Sequence, residues 1–159
     1  MKILLAIACC LLTSCFALQR GGLFSKQYDQ VFVPYFFNET FYRDVEFQIT
    51  EQLVGEILSS PGLHLSSKED AEVYLIGRVL RVRQRVLSED PDTKPTSLNT
   101  SITVEVQMVD ARTGEVLKTQ EFRRSGEFVE SRGEDVAFAR SEVFRFLARD
   151  IVRMLETDF

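Results

Sequence analysis

Ser101-Ile102-Thr103-Val104-Glu105-Val106-Gln107-Met108-Val109-Asp110-Ala111-Arg112-Thr113-Gly114-Glu115-Val116-Leu117 is the stretch that decides the fold. Ile102, Val104, Val106 and Met108 alternate with Thr103, Glu105 and Gln107. A period of two puts the apolar set on one side of a strand and the polar set on the other. The spacing therefore predicts a half-buried strand over Leu98 to Val109. Asp110-Ala111-Arg112-Thr113-Gly114 carries the residues of a tight turn, with a glycine where positive φ is needed, and Glu115 to Arg124 reads as the returning strand. A sheet with one apolar face needs cover on that face and leaves the other to solvent or to a partner.

Upstream, Glu72 to Leu87 is a longer β pattern, with Val73, Tyr74, Leu75 and Ile76 followed by Val79, Leu80, Val82 and Val86. Gly77 inside it marks a bulge or a close approach of another group. Ser88 to Thr96 contains Asp90-Pro91 and Lys94-Pro95 and reads as a loop. Further upstream, Val31, Val33 and Tyr35 alternate with Phe32, Pro34 and Phe36, predicting a first strand over Gln30 to Phe37. Pro34 cannot donate to a ladder and places that strand, or that part of it, at an edge. After a turn at Asn38-Glu39-Thr40, Val45, Ile49, Leu53 and Ile57 recur every four residues beside Phe41, Val54 and Leu58, the stripe of a helix from about Arg43 to Ser59. Pro61-Gly62 ends it, and Leu63 to Leu65 is a short strand. Downstream, a polar loop around Gly126 to Gly133 precedes a long amphipathic helix from about Glu134 to Leu155. Its apolar face is Ala137, Ser141, Phe144, Leu147, Ala148, Ile151 and Leu155. The order β-α-β-β-β-β-α predicts an α+β two-layer sandwich. Two helices pack on one face of a mixed or antiparallel sheet of four to five strands.

The composition fits one domain, with 159 residues, 45% of them hydrophobic and 27% charged. Thirteen Phe and no Trp indicate a core of Phe, Leu, Ile and Val. A net charge of -5 argues against a nucleic-acid partner, which needs a broad positive field. The one histidine, His64, rules out a cage of several histidines, and all three cysteines, Cys9, Cys10 and Cys15, fall at the start of the chain. No metal and no cofactor is expected from the residues that follow them.

Those first residues read as an address. Met1-Lys2 supplies a positive start and Ile3 to Leu12 an apolar run, about half the roughly 20 residues of a spanning helix. Leu12-Thr13-Ser14-Cys15 resembles the lipobox of bacterial lipoproteins. The resemblance implies that the Cys15 thiol becomes a diacylglyceryl thioether and that cleavage before it leaves an acylated amino terminus. Several acyl chains hold a protein on a bilayer where one chain would bind only marginally. The expected organisation is a lipoprotein signal peptide over residues 1–14, a lipidated tether over 15–29 with Gly21-Gly22 in its middle, and a single domain over 30–159.

The chain also carries an ordered set of family motifs. Val31-Phe32-Val33-Pro34-Tyr35-Phe36-Phe37-Asn38-Glu39-Thr40 resembles the "apolar-V-P-x-F-x-N-x-T" opening of the outer-membrane lipopolysaccharide-assembly lipoproteins, the LptE-type family. Cys15-Phe16-Ala17-Leu18-Gln19-Arg20-Gly21 is similar to that family's Cys-Gly-Tyr-x-Leu-x-Gly start but lacks its Gly and Tyr. Val45 to Leu53 is similar to its first helix. Asp70-Ala71-Glu72-Val73-Tyr74-Leu75-Ile76-Gly77 resembles its "A-D-x-x-L-x-G" strand with the first two residues transposed, and Val109 to Leu117 its "D-x-R-T-G-x-x-L" hairpin. The resemblance implies a non-enzymatic lipoprotein anchored at the periplasmic face of the outer membrane. It would plug a large outer-membrane β-barrel, help that barrel to fold, and bind lipopolysaccharide in transit. A lipoprotein regulator of cell-wall synthesis, or a secretion-pore subunit, is the alternative with a similar fold.

The candidate contact residues for lipopolysaccharide or the barrel are Arg78, Arg81, Arg83 and Arg85, with Arg123-Arg124 on another strand. Guanidinium groups pair bidentately with phosphate and carboxylate. By the period of two, Arg81, Arg83 and Arg85 share a face. The bland reading of the same residues is a solvated strand protected from aggregation by its charge. Phe36, Phe37, Phe41 and Phe47 read as core, with Phe37 and Phe41 the members most open to a lipid or partner. His64 reads as a surface strand residue, with no nucleophile motif beside it.

Overall fold

The structure, a computed structural model, describes residues 28–89, 95–128 and 136–158. The expected signal peptide over 1–14, Cys15 and the expected tether up to residue 27 lie outside the described residues, as do residues 90–94, where a loop is expected, and 129–135. The elements are β1 (Gln30–Phe32), β2 (Phe37–Asn38), α1 (Val45–Ser59), β3 (His64–Leu65), β4 (Val73–Glu89), β5 (Pro95–Asp110), β6 (Val116–Phe128) and α2 (Val136–Asp158). The six strands form one sheet in the order β3-β1-β4-β5-β6, with β2 paired to β4 beyond the end of β1.

The meander β4-β5-β6 is antiparallel, and its centre shows why the opening stretch fixes the fold. Val104 lies opposite Val79 on one side and Phe122 on the other, and all three are buried. Ile102, Val106 and Met108 point to the same side. The turn closes as its residues require. Asp110 Oδ1 accepts the backbone N–H groups of Arg112 and Thr113, at 3.0 and 2.9 Å, and Gly114 takes φ 73°.

Both helices cover that apolar side, α1 against β2, β3 and β4, and α2 against β5 and β6, with the helices packed on each other. Val45, Ile49, Leu53 and Ile57 are fully buried, as are Phe144, Leu147, Ala148, Ile151 and Leu155. Each large aliphatic or Phe side chain removed from water contributes about 1.5–3 kcal/mol, so these two stripes are the main cohesion between layers. The stripes are narrower in places than the sequence suggests. Leu58, Ala137 and Ser141 are exposed, while Ala139, Val143, Val152 and Met154 are buried beside the expected set.

The first strand is broken, and β1 lies between β3 and β4 and not at an edge as expected, because the strand ends before Pro34. β1 pairs in parallel with β3 and with the start of β4, then residues 33–36 leave the ladder, and β2 rejoins β4 opposite Arg78 and Val79. Pro34 has no N–H to offer, and the Phe36 N–H is taken by Thr50 Oγ1 of α1 at 3.1 Å. Thr50 in turn donates to the Glu46 carbonyl at 2.6 Å. The break turns Phe36 inward over Gly77, where a Cβ would meet the Phe36 ring at 2.2 Å. Gly77 is thus a place of close approach and not the bulge. The register shift of β4 falls two residues later, between Val79 and Arg81.

Beyond β2 the chain turns away from the sheet. Asn38 Oδ1 accepts from the Thr40 N–H and Thr40 Oγ1, at 2.9 and 2.8 Å, while its amide Nδ2 donates to the Tyr42 carbonyl and to Glu46. This turn carries the chain onto the start of α1, where Asp44 adopts φ 65°.

Candidate functional site

The side of the sheet away from the helices bears the sequence-predicted arginines. Before the register shift, Val73, Leu75, Gly77 and Val79 face the helices, so Arg78 faces away. The shift at Leu80 exchanges the parity, so that Val82 is the buried residue and Arg81, Arg83 and Arg85 point to the open side. All four arginines therefore share one face. Strict alternation would have put Arg78 on the opposite side, because a one-residue insertion in the ladder is invisible to a period of two.

The open face has a charged end and a cationic end. Opposite Arg78 stands Glu105, with Arg78 Nε and Nη2 on Glu105 Oε1 at 3.2 and 2.5 Å and Nη1 on Glu39 at 3.3 Å. Hydrogen bonding to Glu105, then its charge, raises the Arg78 pKa above the ordinary arginine value. Arg81 faces Thr103, Arg83 faces Ser101 and Arg85 faces Asn99. Among the described residues no carboxylate lies within ion-pair distance of these three arginines. Thr103 and Ser101 are buried on an otherwise open face.

The neighbouring pair on β6 is split by the strand's pleat. Arg123 lies opposite Thr103, in the same cross-strand row as Arg81 and about 10 Å from it by the strand spacing. Arg124 lies on the helix side and clamps Asp150 of α2 with two bonds, at 2.5 and 2.9 Å, which raise its pKa. This pair spans a groove of about 540 Å³ between β6 and α2, lined also by Lys118, Phe122 and Arg153. The sequence thus identified one cation of the face in Arg123 and, in Arg124, a residue that fastens the last helix.

The aromatic cluster lies at the opposite edge. Phe36 is core, but Phe47 is 44% exposed and stacks edge-on against Tyr35 with ring centres 5.1 Å apart, so Phe47 is not a core residue as expected. Its place on the outer side of α1, two residues before Ile49, explains the difference. Phe37 is exposed beside Arg78, and Phe41 is fully open to solvent. His64 is exposed on β3, as expected of a surface strand residue. Among the described residues, no group of acidic, His or Cys side chains is arranged to hold a metal ion, and no helix is long and apolar enough to cross a membrane.

Fold and face together define a two-layer α+β domain in which, among the described residues, a polar, arginine-bearing side of the sheet is uncovered. The sequence pattern of the family described as LptE, lipopolysaccharide-assembly, matches residues 28–155, and the chain belongs to that family. No curated protein sequence matches the chain. Among solved structures, the chain is similar to a hypothetical protein from Chlamydia trachomatis at 15% identity and a TM-score of 0.56, covering 81% of this chain and 96% of that one. It is similar to a minor lipoprotein from Acinetobacter baumannii at 18% identity and a TM-score of 0.52, over 82% and 92% of the two chains. The dodecameric PelC from Paraburkholderia phytofirmans is similar at 17% identity and a TM-score of 0.51, over 75% and 84%. These likenesses show the shared fold.

Proposed function

We propose that the chain is a non-enzymatic outer-membrane lipoprotein, anchored through lipid on Cys15 at the periplasmic face, that plugs a large β-barrel lipopolysaccharide translocon and assists its assembly. Membership of the lipopolysaccharide-assembly family carries this reading. The open face supports it physically. Arg81, Arg83, Arg85 and Arg123 are cations without a carboxylate partner among the described residues, beside Thr103 and Ser101, which suits lipid A phosphates or an acidic barrel wall. Arg78 is already engaged by Glu105 and Glu39 and belongs to this contact only at its margin.

Affinity purification of the full chain from detergent-solubilised membranes tests the reading. A large β-barrel protein should be recovered, and recovery of a cell-wall synthase or of large homomeric rings instead would favour the regulator or pore-subunit alternative. Cys15→Ala should abolish incorporation of radiolabelled palmitate and release the protein from membranes; unchanged labelling would move the acyl site elsewhere.

A further inference from the structure

β4 is 17 residues long, but its neighbours on the β1 side cover only the first part. β1 pairs with Val73 and Tyr74, β2 with Arg78 and Val79, and the Glu39 N–H on the Val79 carbonyl at 3.1 Å is the last rung. The Asn38-Thr40 turn then lifts the chain off the sheet. Over Leu80 to Leu87 the opposite edge of β4 runs along β5, paired from Arg81 to Val86 with a register shift at each end, and this edge has no partner strand among the described residues. Eight residues of open ladder span about 26 Å. Such an edge is a template for another strand.

The side chains along it decide which strand. On the open face stand Arg81, Arg83 and Arg85, about 7 Å apart along the strand. On the helix face stand Val82, Gln84 and Val86, the last 45% exposed. A second copy of this chain, set antiparallel against the same edge, would keep both open faces on one side of a continuous sheet. Its three arginines would then face these three across one strand spacing, and like charges directly opposite are destabilising. The edge is built against itself, and its charge asks for carboxylates.

From this we infer that the Leu80–Leu87 edge of β4 receives an extended segment of the partner barrel protein by strand addition, a segment in which acidic residues alternate with apolar ones. Its carboxylates lie over Arg81, Arg83 and Arg85, and its apolar side chains over Val82 and Val86. The inference deepens the barrel reading and rests on it for the identity of the partner. It makes the arginine row a specificity element for a protein strand.

The test uses the full chain in detergent micelles and three synthetic ten-residue peptides. One alternates Glu with Val, one alternates Lys with Val, and one has the Glu/Val composition in two blocks. The alternating Glu peptide should bind at least tenfold more tightly than the other two and should slow amide hydrogen exchange of residues 81–87 at least tenfold, leaving β6 unchanged. Arg81→Glu/Arg83→Glu/Arg85→Glu should reverse the preference toward the Lys peptide; should that variant fail to fold, the corresponding triple Gln variant should lose the preference. Equal binding of the block peptide, binding without slowed exchange at 81–87, or an edge already protected in the chain alone would each overturn the inference. Failure of the barrel reading shows separately, as absence of a barrel protein from the membrane purification.

Discussion

Gly77 shows how one atom sets the position of a strand. The Phe36 ring occupies the space that a Cβ at residue 77 would need, at 2.2 Å. Gly77→Ala should therefore cost about 1–3 kcal/mol in urea unfolding, the range for overpacking a well-filled site. Phe36→Leu combined with Gly77→Ala should recover part of that loss, and a strictly additive double variant would show that the two positions do not share the space. Asn38 works by hydrogen bonding, since its side chain accepts two bonds from Thr40 and donates to Tyr42 and Glu46. Asn38→Ala should cost about 2 kcal/mol by the same measurement, from several bonds worth roughly 0.5–1.5 kcal/mol each. The two clamped arginines behave differently with pH. Arg78 and Arg124 are held above the ordinary arginine value by Glu105 and Asp150. Their protonated state therefore favours the fold fully below the ordinary value, and that contribution is lost only as pH rises through the higher one.

The elements divide by how local their causes are. The β5-β6 hairpin was legible from Ile102 to Gly114 because alternation and turn chemistry both lie within one short window. The stripe Val45, Ile49, Leu53 and Ile57 was legible for the same reason, and all four residues are fully buried. Three features were not legible, each because its cause sits on another element. The break after β1 depends on Thr50 of α1 taking the Phe36 N–H. The placement of Arg78 depends on the register shift against β5. The split roles of Arg123 and Arg124 depend on Asp150 of α2. Packing consequences follow the same map. Leu147→Ala, at a fully buried position of α2, should lose about 2–5 kcal/mol in urea unfolding. Leu58→Ala, at a position of α1 that is 69% exposed, should stay within about 0.5 kcal/mol of the parent.

At the scale of the whole molecule, among the described residues, one side of the sheet is covered by helices and the other is open and charged. The chain is acidic, at -5 overall, yet its open face carries a cluster of arginines. Contacts made there should weaken with salt, because exposed charges are screened over about 8–10 Å at ordinary ionic strength. Replacing Arg81, Arg83 and Arg85 with Ala should weaken binding of the alternating Glu peptide at least tenfold at low salt while leaving the urea midpoint nearly unchanged. An unaltered affinity would remove these residues from the strand contact.

The parallel pairing of β1 also orders events in time. Val31 lies opposite Val73, and everything from the turn at Asn38 to the end of β3 separates them. During synthesis both neighbours of the first strand, β3 and β4, are made only after the whole of α1, whereas β4, β5 and β6 close through adjacent antiparallel connections. Local contacts form faster than distant ones. The meander should assemble first and the amino-terminal strand should dock late. Pulse-labelled hydrogen exchange should show Val104 and Phe122 protected before Val31, so the strand made first is the last to become ordered.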